Sequence, residues 1–260
     1  MAESPWIVPQ WPAPPHILAL STTRLGGVSE QPYNSFNLAR HVGDDPLAVT
    51  QNRELLQSQL PMGVLVQWLN QVHGTGVLQA TAESALADSH PAAEADACWT
   101  TSIGVACAVL TADCLPVLLC DREGRYVAAV HAGWRGLLAG VLDATISASP
   151  VASSTLMAWL GPCIGEHAFE VGEEVRDAFL AEARTFGGLA AASGCFMPAS
   201  RQGHWLANLG GLATLKLHFL GIDNIYSENS CTFTDNSSYF SYRKERETGR
   251  MASLILIKPT

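Results

Sequence analysis

Two histidines and one cysteine stand at the ends of strand-like apolar runs in this sequence. They are His73 in NQVHG, Cys114 in TADCLP and His131 in AAVHAGWRG. One thiolate and two imidazoles form a suitable ligand set for Zn²⁺ or for copper. A structural zinc site is normally closed by four protein ligands, whereas a catalytic site supplies three and leaves one position open. Three candidate ligands without an obvious fourth therefore predict a catalytic metal site. The residue types alone leave Zn²⁺ and copper open as the metal, and Cu²⁺ is an ion that these ligands would accept in vitro.

Each of these residues, taken alone, is also compatible with a purely structural role. A buried cysteine usually behaves as a small hydrophobic residue, and Cys107 and Cys120 fit that description. Cys114 differs because it follows Asp113 at a break between two apolar runs, where a loop exposes functional groups. We expect Asp113 either to fix a ligand histidine or to transfer a proton. Asp96 and Glu170 are weaker candidates, which the sequence favours as helix caps or surface groups.

Arginines in several loops are candidates for holding an anion. HAGWRGLLAG places Arg135 where a strand passes into a helix, whose first N–H groups are free to meet an anion. The alternative explanation of its glycines is tight packing of that helix on a sheet. Arg24 in TTRLGG and Arg243 in SYRKER are further candidates, although the run from Arg243 to Arg250 is typical of a solvated charged surface. Neither a Walker loop nor GxGxxG is present, so a nucleotide cofactor is not predicted.

The composition indicates a globular protein with a large core. The chain has 260 residues, of which 48% are hydrophobic and 15% charged. A formal net charge of -9 argues against nucleic acid and anionic membranes as partners, because both are bound through cationic contacts. No linker divides the sequence into parts of different charge. We therefore expect one domain over residues 1–260, with residues 1–15 as an extended N-terminal segment.

Cysteine spacing and hydropathy give an expectation about location. None of the seven cysteines forms a CxxC pair, so neither a disulfide framework nor a zinc ribbon is predicted. The longest apolar stretch, residues 104–120, is broken by Thr111, Asp113 and Pro116 and is not an ordinary spanning helix. The opening MAESPWIVPQWPAPPH lacks the cationic start and apolar region of a secretory signal. These features predict a cytoplasmic protein with reduced thiols.

Apolar runs of strand length alternate irregularly with helical patterns along the chain. Strands are predicted at residues 16–24, 63–74, 75–81, 104–112, 116–120, 126–132, 155–160, 222–229 and 252–258. Helices are predicted at residues 46–60, 133–149, 170–183 and 204–221, and loops at residues 82–95 and 231–250. This order of elements predicts a mixed α/β (α+β) fold, a single layered domain in which helices cover large sheets.

Several motifs in a fixed order make the sequence similar to a known family. They are TTRLGGVS, NLARHVGDDP, NQVHG, ADACWT, TADCLPVLL, HAGWRG, GPCIG and YRKERETGRMASLI, spread from about residue 19 to residue 257. The chain resembles the YfiH-type laccase-domain proteins, also called polyphenol oxidase-like proteins, peptidoglycan editing factors and purine nucleoside phosphorylases. Two positions depart from the usual motifs, Cys98 in ADACWT and Lys244 in YRKERETGR, and neither touches the proposed metal ligands.

The resemblance implies a fold, a metal and an activity. It implies an α/β/β/α sandwich in which the residues at His73, Cys114 and His131 bind zinc. We assign the catalytic roles to Cys114, His131 and Asp113. It also implies phosphorolysis of adenosine, inosine, guanosine and methylthioadenosine, with adenosine deamination as a further activity. Purine nucleoside and phosphate would then be the partners. The protein itself is expected to be either a monomer or a small homo-oligomer. Within its motifs we assign phosphate or substrate binding to Arg24, Asn37, His41, Arg135 and Arg243.

Two other functions are weighed against zinc-dependent nucleoside chemistry. Cys114 activated by His131 would make a cysteine amidase or hydrolase, which would suit editing of a peptidoglycan precursor. Copper oxidation of phenols needs several coppers held by many histidines with His-x-His pairs, and the sequence has 8 His and no such pair. A multicopper mechanism is therefore rejected. A non-enzymatic binding module is the remaining class, for which Cys114→Ser would have no effect on function.

Overall fold

The computed structural model describes residues 6–86 and 92–259. Its strands are β1 (Trp6–Ile7), β2 (Ile17–Thr22), β3 (Leu65–Gln67), β4 (Val77–Gln79), β5 (Ala97–Thr100), β6 (Val105–Thr111), β7 (Leu115–Asp121), β8 (Val127–Ala132), β9 (Leu156–Leu160), β10 (Glu170–Gly172), β11 (Phe196–Pro198), β12 (His204–Ala207), β13 (Asn224–Ser227) and β14 (Met251–Ile257). Its α-helices are α1 (Pro46–Gln59), α2 (Ala82–Leu86), α3 (Trp134–Ala139), α4 (Val141–Ser147), α5 (Glu173–Arg184), α6 (Leu189–Ser193), α7 (Leu209–Phe219) and α8 (Tyr242–Glu245).

Two large sheets dominate the architecture. One has five strands in the order β1-β2-β14-β6-β3, and the other has six in the order β13-β9-β7-β8-β5-β4. A small third sheet has the order β10-β12-β11, and its strands come from the same part of the chain as α5 and α7. Every residue of β6, β7, β8 and β14 is buried, as expected for strands that are covered on both faces.

The buried side chains separate into layers that follow the alternation of each strand. Cys98, Leu118 and Cys120 of the six-stranded sheet pack against Val105, Cys107 and Ile255 of the five-stranded sheet. The opposite face of the six-stranded sheet packs on α3, α4, α5 and α7. The opposite face of the five-stranded sheet packs on Leu56 and Leu60 at the end of α1. The order of layers is helix, sheet, sheet, helix, which confirms the α/β/β/α sandwich.

Two connections cross from the five-stranded sheet to the six-stranded sheet at one end of the sandwich. The chain between β3 and β4 makes one crossing, and residues 112–114 between β6 and β7 make the other. Strand β7 runs antiparallel to β8, with Leu115 paired to Ala132 and Pro116 to His131. The start of β7 therefore lies beside the end of β8. This pairing places the crossing at Cys114 next to His131.

Most of the predicted elements are confirmed. Helix α1 is an example of an element that local signals in the sequence identify. Asp45 caps α1 by accepting a hydrogen bond from the backbone N–H of Leu47, and Pro46 occupies the first turn. The strands predicted around residues 16–24, 104–112, 116–120, 126–132, 155–160, 222–229 and 252–258 all form. Residues 63–74 and 75–81 also contain strands, but these strands join different sheets.

Other predictions of secondary structure are wrong in part. The helix predicted at residues 133–149 is two helices, because Gly140 adopts φ 95° and ends α3 before α4 begins. The helices predicted at residues 170–183 and 204–221 begin instead with strands β10 and β12. The predicted loops contain the short helices α2 and α8, and residues 87–91 of the first loop lie outside the described residues. Strands β1, β5 and β11 were not predicted.

Within the described ranges, no helix combines the length and the apolar character that crossing a bilayer requires.

Gly140 and Gly210 form a matched pair for testing the break between α3 and α4. Gly140→Ala should lower the free energy of unfolding by about 1–2 kcal/mol, because an alanine is strained at a left-handed φ. Its Cβ would also meet an Asp143 carboxylate oxygen at 3.3 Å. Gly210→Ala lies within α7, where the added Cβ has no neighbour closer than 3.7 Å. That change should raise stability by about 0.5–1 kcal/mol. Urea unfolding measures both, and equal effects would contradict the assignment.

Candidate metal centre

His73 lies in the crossing between β3 and β4, and two sets of contacts hold this segment. The side-chain amide of Gln71 pairs with the backbone of Leu110 in β6, donating to its carbonyl at 2.8 Å and accepting from its N–H at 2.7 Å. The backbone N–H groups of Val72, His73 and Gly74 all donate to the carboxylate of Asp96. His73 itself adopts φ 61°, so the segment turns sharply at the candidate ligand.

Asp96 also holds the second histidine. It precedes β5 and is fully buried, and its Oδ1 lies 2.8 Å from Nδ1 of His131. With Nδ1 bonded to the carboxylate, Nε2 of His131 is left to face a metal, an arrangement that orients ligand histidines in many zinc sites. The expectation that Asp96 is a cap or surface group is therefore wrong. The same carboxylate fixes the His73 segment and the His131 ring.

Cys114 completes the group from the crossing between β6 and β7. Its Sγ lies 3.9 Å from Nε2 of His73, and the two histidine rings are 4.7 Å apart. One ligand atom each from His73, Cys114 and His131 falls within 4.8 Å of the others. Ligands of a tetrahedral Zn²⁺ are on the order of 3.5 Å apart when Zn–S and Zn–N bonds have their usual lengths. The three side chains therefore fit a metal of this kind.

A glycine keeps the approach to Cys114 open. Gly133 precedes α3, and a Cβ at this position would lie 2.8 Å from Sγ of Cys114 and 3.2 Å from a ring carbon of His73. Its φ of −62° is accessible to any residue, so space is the reason for a glycine here. Gly133 of the HAGWRG motif thus allows α3 to begin close to Cys114 and His73 without displacing either side chain.

The pKa values of Cys114 and His131 depend on each other. Burial alone would raise the pKa of Cys114, but the neighbouring charge of His131 and hydrogen bonds from His131 and His73 lower it to about 6. Burial would lower the pKa of His131, but the Cys114 thiolate and the hydrogen bond to Asp96 raise it to about 9. At neutral pH the metal-free site therefore holds a thiolate beside an imidazolium. A thiolate is the form of cysteine that binds metal and acts as a nucleophile.

The metal ligands line one wall of a cavity of about 640 Å³. Four arginines line the same cavity: Arg135, Arg243, Arg246 and Arg250. His41, Phe169 and Tyr242 are also in its wall. Burial and the positive charge of Arg250 lower the pKa of His41, as do Arg53 and His73 to a smaller extent. In a protein with a net charge of -9, this cluster of arginines marks the cavity as a site for an anion.

Backbone strain is concentrated at this cavity. Among the described residues, His73, Asp113 and Arg246 are the non-glycine residues with positive φ, at 61°, 85° and 66°. All three line the cavity. Strained conformations of this kind persist where the surrounding contacts impose them, and they cluster at functional sites.

Two residues assigned to phosphate binding lie elsewhere. The Arg24 guanidinium is buried, ion-paired to Glu245 at 3.0 Å and bonded to the carbonyls of Asn34 and Asn236. Asn37 is fully buried, donates to Asp44 and accepts the backbone N–H of Arg250. Neither side chain lines the cavity. Their polar atoms are used in holding loops together, so both assignments are corrected to structural roles.

Asp113 is held differently from the expectation. Its Oδ1 accepts the hydroxyl of Thr232 at 2.6 Å, and its Oδ2 accepts the backbone N–H of Arg243 at 2.6 Å. The carboxylate that fixes a ligand histidine is Asp96 instead. Asp113 thus positions the start of α8, where Arg243 donates to the carbonyl of Glu170 and stacks on Phe169.

The arginines near the C-terminus partly correct another expectation. Lys244, Arg246 and Glu247 are exposed, as in a solvated charged surface, but Arg243, Arg246 and Arg250 also line the cavity. Arg250 is only partly exposed and is bonded to the carbonyls of Thr248 and Gly249. Asp96 was expected to be only a cap or surface group, and Arg246 and Arg250 were not assigned to the site. The repeated arginines between Arg243 and Arg250 were the signal in the sequence that could have identified the last two.

Comparison with known proteins places the chain in a family. Residues 18–258 match the family described as multi-copper polyphenol oxidoreductase laccase. A Pseudomonas aeruginosa protein named purine nucleoside phosphorylase is 46% identical over 253 residues, covering 97% of this chain and 98% of that protein. An Escherichia coli (strain K12) protein named purine nucleoside phosphorylase YfiH is 47% identical over 249 residues, covering 96% and 97%.

Solved structures show the same fold. A Neisseria meningitidis protein superposes with a TM-score of 0.89 at 45% identity, covering 98% of this chain and 100% of that one. YlmD from Geobacillus stearothermophilus superposes with a TM-score of 0.84 at 27% identity, covering 100% and 98%.

Asp96→Asn tests the carboxylate that supports both histidines. The amide cannot supply the negative charge that His131 and three N–H groups now meet, so metal affinity should fall about 10–100-fold. Asp121→Asn is the matched control, because Asp121 is equally buried and accepts the N–H groups of Arg125 and Tyr126. Competition with a chelator gives both affinities. Equal losses in the two variants would show that Asp96 acts only through general stability.

The pH dependence of metal binding follows from the pKa values of the ligands. Between pH 6 and 9 the metal-free site holds the Cys114 thiolate and protonated His131, so binding must release one proton. Affinity should therefore rise about tenfold per pH unit across this range. It should level off above pH 9 and fall more steeply below pH 6, where the thiolate is also protonated. Chelator competition at constant ionic strength measures the slope, and a flat profile would contradict the thiolate–imidazolium pair.

Proposed function

The chain belongs to the multi-copper polyphenol oxidoreductase laccase family, and we propose that it is a metal-dependent purine nucleoside phosphorylase. The observation that carries the proposal is one cavity that is lined both by a His–Cys–His ligand group and by four arginines. Phosphorolysis needs an anionic nucleophile, a nucleoside and a means of stabilising the departing base. The arginines supply the binding site for the first, and the names of the relatives supply the substrate class.

Arg135, Arg243, Arg246 and Arg250 are proposed to bind phosphate. Guanidinium groups match phosphate oxygens with paired N–H donors and stay charged at any physiological pH. His41, with its lowered pKa, is neutral at pH 7 and adds a hydrogen-bonding imidazole without further charge. Held among these groups, phosphate is oriented for attack on C1′ of the ribose, which removes much of the entropic cost of the encounter.

The purine ring is proposed to lie against the aromatic part of the wall. Phe169 and Tyr242 line the cavity, and each already contacts the guanidinium of an arginine, Arg243 and Arg250 respectively. Aromatic faces hold a purine by stacking with little preference among bases, in keeping with a phosphorylase that accepts several nucleosides. Asp113 contributes by fixing the start of α8, from which Tyr242 and Arg243 extend.

Zn²⁺ is the proposed metal, held by His73, Cys114 and His131. When bound, it supplies a Lewis acid and can lower the pKa of water, which also suits the deamination of adenosine that we propose as a side activity. Asp96 keeps Nδ1 of His131 occupied so that Nε2 faces the metal. The described residues contain a single group of this kind, which is too few ligands for a multicopper centre.

A second candidate is supported by the thiolate–imidazolium pair of Cys114 and His131. Without metal, this pair is equipped for nucleophilic attack on an amide, as in a cysteine hydrolase editing a peptidoglycan precursor. Metal separates the two proposals, because a thiolate bound to zinc is a poor free nucleophile. Chelation should abolish phosphorolysis but raise an amidase activity.

Phosphate-dependent release of hypoxanthine from inosine tests the proposed function directly. The zinc-loaded protein should release the base only when phosphate is present, and chelation should stop the reaction. Arg246→Met should raise KM for phosphate about tenfold or more with a smaller change in kcat, because it removes charge-assisted binding of phosphate. Arg201→Met, an exposed arginine outside the cavity, is the control. Release without phosphate, or an equal effect of both variants, would overturn the assignment.

A further inference from the structure

Two cysteines outside the metal group are paired through their backbones on neighbouring loops. Cys163 follows β9 and Cys231 follows β13, and these strands are parallel neighbours in the six-stranded sheet. The pairing continues past the strands as an isolated parallel bridge between the two cysteines, with the N–H of Thr232 bonded to the carbonyl of Cys163 at 3.0 Å. Both residues are free thiols and partly exposed.

The backbone geometry is that of a residue pair which a disulfide can join. Directly paired residues on neighbouring strands lie about 5 Å apart and point to the same face of the sheet. Disulfides span Cα separations of roughly 4.4–6.8 Å. The backbone N–H of Gly165 donates to Sγ of Cys231 at 3.1 Å, which holds this sulfur over the loop that carries Cys163. A Cβ on Gly165 would lie 3.0 Å from Cβ of Cys231, so the approach depends on that glycine.

The environments of the two thiols differ in a way that suits stepwise oxidation. Burial would raise the pKa of Cys231, but hydrogen bonds from Thr234, Gly165 and Phe233 lower it. Burial raises the pKa of Cys163 to about 12, and the negative charge of Cys231 adds to that effect. Cys231 is thus the thiol that reacts first, and loss of its charge makes the second thiol easier to deprotonate.

The pair is connected to the cavity through Asp113. The residue after Cys163 is Ile164, whose N–H donates to the carbonyl of Asp113 at 2.9 Å. The residue after Cys231 is Thr232, whose hydroxyl donates to the Asp113 carboxylate. Asp113 in turn holds the N–H of Arg243. A restraint on the two cysteine loops is therefore transmitted to Asp113, which holds the start of α8.

We propose that Cys163 and Cys231 form a reversible disulfide with each other by exchange with a low-molecular-weight disulfide such as oxidised glutathione, and that this bond braces the part of the cavity lined by Asp113 and Ile164. The Cys231 thiolate attacks one glutathione sulfur, forming a mixed disulfide and releasing one glutathione thiolate. The Cys163 thiol then attacks the Cys231 sulfur. The bond to the second glutathione breaks, and that glutathione leaves with the proton that Cys163 loses. Two protein thiols are oxidised, and one glutathione disulfide is reduced to two thiols.

Non-reducing peptide mapping of the full metal-loaded chain tests the site. After incubation with oxidised glutathione, one disulfide should join the peptides containing Cys163 and Cys231, and dithiothreitol should reverse it. Cys163→Ser should trap glutathione on Cys231, whereas Cys231→Ser should leave Cys163 unreacted. Cys195→Ser, a partly exposed thiol elsewhere, should leave the linkage unchanged. Only mixed disulfides in the wild-type chain, or a linkage that includes Cys114, would overturn the proposal.

Hydrogen exchange tests the bracing independently of any enzymatic activity. The bond should slow exchange in residues 161–165 and 228–235 by several-fold relative to the reduced protein, because a crosslink restricts local opening of both loops. The same comparison in Cys231→Ser should show no change. Equal exchange in oxidised and reduced wild-type protein would refute the bracing even if the disulfide forms.

Discussion

The candidate site depends on one buried carboxylate. Asp96 has no exposed surface, and a charge in that position is costly unless it is fully paired. Burial would raise its pKa, but the hydrogen bond from His131 and backbone N–H groups of Gly74 and Val72 lower it. In satisfying this charge, the chain must bring the His73 segment and the His131 ring to the same place. The ligand geometry is therefore a consequence of the hydrogen bonds that compensate the buried charge of Asp96.

A second electrostatic feature distinguishes the cavity from the rest of the molecule. The chain is acidic, with a formal charge of -9, yet four arginines line one concave surface. Such a local reversal of sign concentrates anions that the remaining surface repels. The arginines are positioned by contacts to backbone carbonyls and aromatic rings rather than by carboxylates, as Arg243 and Arg250 show. Their positive charge is left available for an incoming ligand.

The sequence predicts the layers and the ligand group better than the supports around them. Long apolar runs such as β6 and β7 are recognisable because both faces are buried, and the cap at Asp45 is a local signal. The role of Asp96 is invisible locally, because its partners are residues 72–74 and His131. Arg24 looks like Arg243 in the sequence, and only the packing of Glu245 and Phe240 around it shows that its charge is already used. Short strands such as β12 are not predicted for a similar reason, because they are stabilised by pairing with other segments of the chain rather than by a local pattern.

The two crossings that carry His73 and Cys114 also bear on how the site is assembled. His73 and Cys114 both sit on chain segments that leave one sheet and enter the other, whereas His131 belongs to the second sheet alone. Neither sheet by itself can gather the three donors. Any ion held by these three side chains would therefore require both layers to be docked. Such an ion would link the two layers at the end of the sandwich where the crossings lie.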